Sequence, residues 1–408
     1  MTTTSTWVAG AAGSPYDIDN LPYGVFATAD EEPRVGVRIG DLVLDLAPVA
    51  AAEMLEVAHV FEQASLNPLM ALGREHNAAV RQWIIRLLTD EVERSDVESH
   101  LIPLSEVEMR MPIEVGDYVD FYASEHHASN VGTIFRPDQA ALLPNWKHLP
   151  VGYHGRSGTV VPSGTDIVRP MGQRKNPSDP EPVFGPCARL DIEAELGFVV
   201  GTGTELGSRV EVTDFAEHTF GVMGLNDWSA RDIQAWEYVP LGPFLGKSFA
   251  TSISTWVTPL AALDAAWTEL PGQDPEPLPY LAVDGPAGLD IDIEVLVNAH
   301  VVSRPPYRTM YWSPAQMLAH MTVNGATVRT GDLWASGTVS GPTPAERGSF
   351  LELSWGWREP FQVGDEQRVA LEDGDEVVLR YTAPGTAGGR IALGEVTGTI
   401  LPARAGNR

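Results

Sequence analysis

Leu190-Asp191-Ile192-Glu193-Ala194-Glu195-Leu196 is the stretch that predicts most about the fold, and Phe198-Val199-Val200 continues it. Side chains of a β-strand point alternately to opposite faces, so the pattern predicts a strand with three acids on one face. Three such carboxylates repel one another unless water screens them or a cation bridges them. A solvated strand face is the ordinary alternative, but the apolar continuation places the acids near a core. Carboxylates without Cys or His partners favour Mg²⁺, Ca²⁺ or Mn²⁺ over zinc.

The composition excludes several classes of protein. The 408 residues allow two or three domains, and 55 acidic against 27 basic residues give a net charge of −28. That charge repels phosphate backbones and anionic lipids, which argues against a partner nucleic acid or membrane surface. The single Cys187 excludes an intramolecular disulfide and a cysteine-based zinc site. Residues 1–10 lack the features of a secretory signal, and no apolar run approaches the ~18 residues of a membrane span, so we expect a cytoplasmic protein.

Short alternating segments outnumber helical ones, which predicts a β-rich α+β fold. Residues 23–26 and 34–46 alternate, with a hairpin turn at Gly40-Asp41. One apolar stripe at helical spacing (Val80, Trp83, Ile84, Leu87 and Leu88) predicts a helix with Arg81 on its other face. Strands are also expected over 289–297, 376–381 and 394–400, and a surface excursion of unassigned role over 258–290. The composition changes near residue 116, which predicts domains at 1–116 and 117–408.

A second acid follows an apolar run and precedes a helical pattern. Asp227 ends the segment from Phe220, and its alternatives are a helix N-cap or a metal ligand. Arg231 and Gln234 are three residues apart, hence neighbours on one helix face. Arg231 could form an ordinary ion pair, or with Gln234 it could donate hydrogen bonds to a developing oxyanion. Lys247 lies in a segment that is unusually apolar and Gly-rich for a surface lysine.

The third polar segment, from Asp117 to His127, combines acids and adjacent histidines with aromatic residues. Histidine titrates near neutral pH, so this composition suits general acid–base catalysis. Spacing alone leaves open whether His126 or His127 would be the base, and a structural histidine is the ordinary alternative. Arg136 and Tyr153 downstream add donors suited to a carboxylate ligand. Phosphate-loop, dinucleotide and nucleophile-elbow motifs are absent from the sequence.

Several long motifs, in order, resemble the fumarylacetoacetase family. They are Asp117-Tyr118-Val119-Asp120-Phe121-Tyr122, His127-Ala128-Ser129-Asn130-Val131-Gly132, Ala141-Leu142-Leu143-Pro144-Asn145-Trp146, Leu149-Pro150-Val151-Gly152-Tyr153-His154-Gly155-Arg156, Arg169-Pro170-Met171-Gly172-Gln173, Leu225-Asn226-Asp227-Trp228-Ser229-Ala230-Arg231-Asp232-Ile233-Gln234, Leu241-Gly242-Pro243-Phe244-Leu245-Gly246-Lys247-Ser248-Phe249 and Ala335-Ser336-Gly337-Thr338-Val339-Ser340-Gly341-Pro342. Asn20-Leu21-Pro22-Tyr23-Gly24-Val25-Phe26 extends the likeness into the N-terminal region. The sequence is more similar to the full-length members than to shorter relatives that share only the catalytic domain.

The resemblance implies an N-terminal SH3-like barrel, a C-terminal mixed β-roll and a homodimer. It also implies the hydrolysis of 4-fumarylacetoacetate, an anionic diketo acid, to fumarate and acetoacetate. In the family this reaction is the last step of tyrosine and phenylalanine breakdown. It uses a divalent cation, Mg²⁺ or Ca²⁺ with Mn²⁺ as an alternative, and no organic cofactor.

The resemblance also assigns roles to individual positions of this chain. It implies metal ligands at Asp120, Glu193, Glu195 and Asp227, with Lys247 and Thr251 associated with the metal and Asp191 a bystander. It implies His127 as the base with Glu352 as its orienting acid, and Arg231, Gln234 and Lys247 as donors to the oxyanion and leaving group. It implies substrate contacts at Tyr122, Arg136, Tyr153, Gln234, Tyr238 and Thr338.

Glu352 has a different ordinary interpretation. Phe350-Leu351-Glu352-Leu353-Ser354-Trp355 alternates, which predicts a strand with Glu352 facing solvent. Two rival functions also remain. A related decarboxylase or isomerase would keep the carboxylates without needing the His–Glu pair, and a metal-stabilised scaffold would need neither the pair nor the donors.

Overall fold

The computed structural model describes residues 5–29, 31–176 and 178–404. Residues 1–4 of the predicted N-terminal domain, which also begin the segment used to exclude a secretory signal, lie outside the described residues. Residues 405–408 of the predicted catalytic domain lie outside them as well. No helix within the described ranges has both the length and the apolar character needed to cross a bilayer.

The strands are mostly short, as the alternating segments predict. They are β1 (Tyr23–Ala27), β2 (Arg34–Ile39), β3 (Leu42–Asp45), β4 (Leu101–Pro103), β5 (Glu108–Met109), β6 (Tyr118–Phe121), β7 (Gly152–His154), β8 (Val160–Pro162), β9 (Ile167–Val168), β10 (Met171–Arg174), β11 (Val183–Pro186), β12 (Leu190–Asp191), β13 (Ala194–Val200), β14 (Thr219–Asp227), β15 (Ser229–Ala230), β16 (Thr251–Ile253), β17 (Trp256–Pro259), β18 (Trp267–Thr268), β19 (Gly288–Leu289), β20 (Asp292–Val297), β21 (His300–Ser303), β22 (Leu333–Ala335), β23 (Phe361–Val363), β24 (Glu366–Arg368), β25 (Glu376–Pro384), β26 (Arg390–Ala392) and β27 (Val396–Leu401).

The helices are fewer and most have only one or two turns. They are α1 (Leu46–Ala52), α2 (Asn67–Met70), α3 (Arg74–Thr89), α4 (Arg94–Val97), α5 (Glu125–Phe135), α6 (Phe215–His218), α7 (Arg231–Glu237), α8 (Pro314–Thr322) and α9 (Phe350–Leu353). The predicted β-rich α+β class is therefore confirmed.

One large sheet runs from the N-terminal strands into the strands that carry the acidic motifs. Its order is β4-β3-β2-β1-β17-β14-β13-β22-β6-β7, and β16 joins it beside β14. A second sheet has the order β21-β20-β25-β27-β9. The predicted N-terminal barrel is not confirmed, because in the described residues the N-terminal strands continue into this open sheet through the β1–β17 pair instead of closing on themselves.

Local predictions in the N-terminal region are largely confirmed. The hairpin connects β2 to β3, and Gly40 takes the positive φ of 56° that its turn requires. The predicted helix is α3, whose apolar stripe packs on the N-terminal core. Arg81 does not face solvent as expected: it is buried, and its guanidinium donates to the backbone carbonyls of Asn20 (2.8 Å) and Asp19 (2.7 Å).

Two strand predictions are wrong in detail. The segment 190–200 is not one continuous strand: β12 ends at Asp191 and β13 begins at Ala194. Both faces of β13 are buried. Asp191 and Glu193 share Arg231 as a partner, but Asp191 also accepts from the first amides of α9 and Glu193 from Lys247. Phe350 to Leu353 form the helix α9 and not a strand, because Ser349 caps the first turn by accepting from the Glu352 amide. The later strands, at 292–297, 376–384 and 396–401, follow the predicted alternation.

Candidate metal centre and active site

Neighbouring strands of the large sheet bring four acids together. Asp120 lies in β6, Glu193 immediately before β13, Glu195 within β13, and Asp227 at the end of β14. β13 pairs with β14 so that Ala194 is opposite Asn226, which brings the segment containing Glu193 and Glu195 beside Asp227. One oxygen from each of the four carboxylates lies within 4.8 Å of the others, and all four residues are buried. The alternative of a solvated strand face is therefore wrong.

Asp120 and Glu195 carry the strongest signs of an unmet partner. Burial, together with the neighbouring carboxylates, raises the pKa of each well above its ordinary value. Asp120 Oδ1 and Glu195 Oε1 are buried without a hydrogen-bond partner among the described residues, whereas Glu195 Oε2 accepts from the backbone amide of Gly337 at 3.0 Å. Buried oxygens of this kind are usually satisfied, so their convergence fits a bound cation.

Asp227 accepts hydrogen bonds from more side chains than the other three acids do in the described residues. Its Oδ1 accepts from Thr251 Oγ1 at 2.7 Å, and its Oδ2 accepts from Lys247 Nζ at 2.9 Å and Tyr153 OH at 3.1 Å. Thr251 stands directly across from Asp227 because β14 and β16 pair there. Asp227 is not a helix N-cap, since α7 begins four residues later after Ala230, whose side chain offers no cap. Lys247, Thr251 and Tyr153 therefore all lie beside the cluster.

Lys247 is a buried cation within the acidic cluster. Its ammonium also contacts Glu193 Oε2. Burial lowers the pKa of Lys247, but the carboxylates of Asp227 and Glu193 outweigh that effect and raise it overall. Burial would raise the pKa of Glu193, yet the charges of Lys247 and Arg231 hold it well below its usual range. The pKa of Glu193 is therefore shifted downwards, in the opposite direction to the pKa values of Asp120 and Glu195.

Arg231 bridges Asp191 and Glu193. Its Nε donates to Asp191 Oδ2 at 2.9 Å and its Nη2 to Glu193 Oε1 at 2.6 Å, while Nη1 lies 3.5 Å from Gln234 Oε1. The ordinary interpretation as an ion pair and the predicted neighbourhood with Gln234 are both observed. The ion pairs do not remove Arg231 from the site, because Glu193 itself belongs to the cluster.

A buried histidine and a buried glutamate form a second group beside the cluster. His127 lies in the first turn of α5 and its Nδ1 is 2.7 Å from Glu352 Oε2. His127 is buried and His126 half-buried, which distinguishes the two adjacent histidines. The His127 imidazole is also near enough to Glu193 for its charge to lower the pKa of that acid. Glu352 is fully buried, so its predicted exposure to solvent is wrong.

Sequence reasoning missed the residues that hold Glu352 in place. Ser340 Oγ (2.9 Å) and Ser349 Oγ (2.8 Å) donate to Oε2, and Asn130 Nδ2 donates to Oε1 at 2.8 Å. These contacts and the charge of His127 outweigh burial and lower the pKa of Glu352. Two signals were present: Asn130 follows His127 by three residues on one helix, and Ser349 precedes a Glu at the spacing of a capping box.

The remaining predicted substrate contacts differ in their surroundings. Tyr122 packs edge-on against the His127 ring at 5.2 Å between centroids, and Thr338 Oγ1 is buried without a hydrogen-bond partner in the described residues. Arg136 ends α5 and donates to the Ala141 carbonyl at 2.9 Å. Tyr238 follows α7 and is half exposed, with no side-chain hydrogen bond to the four acids in the described ranges.

A cavity of about 330 Å³ opens beside the cluster. Lys247 and Tyr153, which both contact Asp227, form part of its wall, with Arg156 and Phe244 nearer the outside. The cavity is large enough for a small organic acid. Its lining is cationic and phenolic, which suits an anionic ligand despite the overall negative charge of the chain.

Comparisons with known proteins give a consistent result. Residues 19–112 match the family described as fumarylacetoacetase N-terminal, and residues 118–400 match fumarylacetoacetate (FAA) hydrolase C-terminal. The chain is 45% identical to the fumarylacetoacetase of Oryza sativa subsp. japonica, covering 98% of this chain and 97% of that protein. It is 45% identical to that of Homo sapiens (98% and 99% covered) and 46% identical to that of Caenorhabditis elegans (98% and 99%).

Solved structures support the fold at lower sequence identity. A fumarylacetoacetate hydrolase from psychrophilic Exiguobacterium antarcticum superposes with a TM-score of 0.56 at 18% identity, covering 94% of this chain and all of that one. A maleylpyruvate hydrolase from Sphingobium sp. SYK-6 gives 0.51 at 16% identity with the same coverage. At these identities the likeness concerns the fold alone.

Proposed function

The chain belongs to the fumarylacetoacetase family along nearly its whole length, and we propose that it hydrolyses the carbon–carbon bond of 4-fumarylacetoacetate. The products are fumarate and acetoacetate, as in the last step of tyrosine and phenylalanine breakdown. The observation that carries the proposal for this chain's own residues is the buried His127–Glu352 pair beside four converging carboxylates. A metal-stabilised scaffold would not need such a pair.

Asp120, Glu193, Glu195 and Asp227 fit a divalent cation, because hard carboxylate oxygens converge and two of them have no other partner in the described residues. Mg²⁺ and Ca²⁺ suit this donor set, with Mn²⁺ as an alternative, and no organic cofactor is proposed. When bound, the cation would supply Lewis-acid polarisation of the substrate's diketone oxygens. Lys247 and Thr251 orient Asp227, and Lys247 also orients Glu193.

His127 acts as the general base in this proposal. Glu352 accepts from Nδ1, so the neutral imidazole carries its proton there and presents Nε2 as the acceptor. Nε2 takes a proton from water, and the hydroxide adds to the carbonyl carbon of the bond to be cleaved. Glu352 stabilises the imidazolium that results, in the manner of the acid in a serine-hydrolase triad.

Arg231, Gln234 and Lys247 donate hydrogen bonds to the carbonyl oxygen as negative charge develops on it. Fixed donors in a site shielded from water stabilise such charge strongly. When the carbon–carbon bond breaks, its electron pair goes to the acetoacetate carbon and the imidazolium returns the proton to that carbon. The carbonyl carbon becomes the new carboxylate of fumarate. Tyr122, Arg136, Tyr153, Tyr238 and Thr338 are proposed to hold the anionic diketo acid.

The decisive test follows the substrate's absorbance and the release of fumarate with purified protein. We expect turnover with Mg²⁺ or Ca²⁺, its loss on chelation and its return on re-addition of the cation. Loss of fumarylacetoacetate without fumarate would favour a related isomerase or decarboxylase. If Mg²⁺, Ca²⁺ and Mn²⁺ all fail to support turnover, the proposal is contradicted.

The homodimer and the cytoplasmic location remain proposals from the family resemblance. The dimer is supported by exposed apolar side chains on the segment after α7, including Leu241 at 96% exposure and Val239 at 66%. Such a patch is costly in water and is typical of an interface. Sedimentation equilibrium tests the dimer, and Leu241→Asp is expected to shift it towards monomer. An unchanged monomeric mass for both proteins would contradict it.

A further inference from the structure

Asp191 is a fully buried acid that the reaction described above leaves unused. The family resemblance makes it a bystander among the acids of its segment. In the structure it accepts four hydrogen bonds. Oδ1 accepts from the amides of Ile192 (2.7 Å) and Phe350 (2.6 Å), and Oδ2 accepts from Arg231 Nε (2.9 Å) and the Leu351 amide (3.1 Å).

These partners belong to two different parts of the proposed machinery. Arg231 extends past Asp191 to Glu193 and is one of the donors to the oxyanion. Phe350 and Leu351 begin α9, and the next residue, Glu352, contacts His127. Phe350 is 159 residues from Asp191 in sequence, so this carboxylate provides a direct polar connection between distant segments.

We propose that Asp191 is a positioning residue that fixes Arg231 and Glu352 relative to each other, so that the oxyanion donor and the base are assembled as one unit. This inference rests on the proposed function for the roles of those two residues. Asp191 is not one of the four acids that converge. Its two oxygens have about four acceptor sites, and four donors fill them, which leaves none for a cation.

The chemistry of the site requires a carboxylate. All four partners are donors, so an Asn side chain would direct its amide hydrogens at two of them and leave both unsatisfied. A buried donor without an acceptor is destabilising, and relief of that cost would displace Arg231 or the first turn of α9. A Glu would add a methylene where no space is exposed to solvent, and overpacking also displaces neighbours.

Asp191→Asn tests the proposal against a matched control, Asp375→Asn. Asp375 is also buried and accepts from an arginine (Arg368), a backbone amide (Glu372, 2.8 Å) and Asn298 (2.8 Å), but it belongs to the C-terminal sheet region. With fumarylacetoacetate and saturating Mg²⁺, Asp191→Asn should lower kcat roughly 10–100-fold with little change in KM, the usual effect of losing a residue that orients catalytic groups. Asp375→Asn should lower the melting temperature and leave kcat unchanged.

A double-mutant cycle separates positioning from general destabilisation. If Asp191 acts through Arg231, then Asp191→Asn should cost much less in kcat when Arg231 is already Gln, because the group it positions is gone. The same non-additivity is expected in the Glu352→Gln background. Additive losses in both backgrounds, or a kcat for Asp191→Asn equal to that of the wild type, would overturn the proposal.

A second measurement covers the case in which Asp191→Asn does not fold, and it does not depend on activity. In Arg231→Gln, native-state hydrogen exchange should become at least ~10-fold faster at the Phe350 and Leu351 amides, since each bonds to a charged group whose other anchor is lost. The Leu353 amide, which donates to the Ser349 carbonyl at 3.0 Å, is the reference. Unchanged exchange at Phe350 and Leu351 would overturn the coupling, whereas absent turnover in the wild type would instead contradict the proposed function.

Discussion

Glu352→Gln removes one charge from the His127 pair while nearly preserving its shape. Glu352 Oε2 accepts from His127 Nδ1 and two serine hydroxyls, and Oε1 accepts from Asn130. A glutamine can keep its carbonyl at the Oε2 position and place its NH₂ opposite Asn130. Asn130 then turns its own amide by 180° to present an oxygen, so the imidazole keeps an acceptor.

The expected loss therefore comes from charge and not from geometry. A hydrogen bond to a charged group contributes about 1.5–3 kcal/mol, against about 0.5–1.5 kcal/mol for a neutral one. The imidazolium that forms as water is deprotonated therefore loses about 1–2 kcal/mol of stabilisation. At about 1.4 kcal/mol per factor of ten, kcat should fall roughly 5–30-fold while the KM and the cation affinity stay close to those of the wild type.

The assay is steady-state turnover with saturating cation, which reports kcat and KM separately. Glu346→Gln, a nearby capping glutamate whose carboxylate accepts from Thr343, is the matched control. Wild-type kcat in Glu352→Gln would refute the orienting role and leave His127 without a partner.

Acid unfolding gives an independent check on the same residue. The folded state lowers the pKa of Glu352, since the partners of its carboxylate outweigh burial. Its ionisation therefore contributes stability above the unfolded pKa of about 4.3, and that contribution is lost as the pH falls through the lower folded value. The difference in stability between wild type and Glu352→Gln should be constant near neutral pH and shrink in acid. A difference that grows in acid would contradict this sign.

The remaining predictions concern the ligands, the base and one glycine. Calorimetric titration with Mg²⁺ or Ca²⁺ should show at least ~10-fold weaker binding for Glu195→Gln, over ~1.4 kcal/mol, and nearly unchanged binding for Asp191→Asn; equal effects would contradict the ligand assignment. His127→Ala should lose ~10²–10⁴ in turnover at near-normal substrate binding and His126→Ala far less, so two equally inactive proteins would contradict the choice of base. Gly337→Ala should destabilise by at least ~2 kcal/mol in denaturant unfolding, because φ is +75° and a Cβ would lie 2.1 Å from the Phe121 carbonyl oxygen. Unaltered stability would contradict the packing there.

Local patterns predicted much of the fold because one physical preference dominated in each. The hairpin at Gly40 combines alternation with a residue that tolerates a positive φ. The helix α3 follows from its apolar stripe. The prediction that Arg81 faces solvent is wrong, because periodicity identifies only the apolar face of a helix. It does not reveal that the backbone carbonyls of Asp19 and Asn20 accept from the buried guanidinium.

Strand alternation predicted Asp191, Glu193 and Glu195 on one face, whereas the set of four acids that converge was implied by the family resemblance. Asp191, Glu193 and Glu195 have the same spacing, and only the interruption between β12 and β13 directs Asp191 towards α9. The amides that Asp191 accepts from there lie 159 and 160 residues away in sequence, and no local pattern contains them. The roles of individual residues came from the family resemblance and not from spacing.

Glu352 shows how a short segment misleads. Four residues that alternate satisfy both a strand and one helical turn, and the Ser349 cap decides between them. The spacing of Ser349 and Glu352 was a usable signal for helix, because a serine three residues before a glutamate is typical of a capped turn. Its burial was not readable from sequence, since that depends on contacts with α5.

The pairing of β1 with β17 makes the N-terminal region part of the catalytic sheet. Tyr23 and Gly24 stand opposite Val257 and Trp256, and β17 in turn pairs with β14, which ends in Asp227. A chain lacking the N-terminal strands would expose the unpaired amides and carbonyls of β17 as an aggregation-prone edge. The N-terminal strand β1 therefore protects the edge of β17, and it lies two strands away from Asp227.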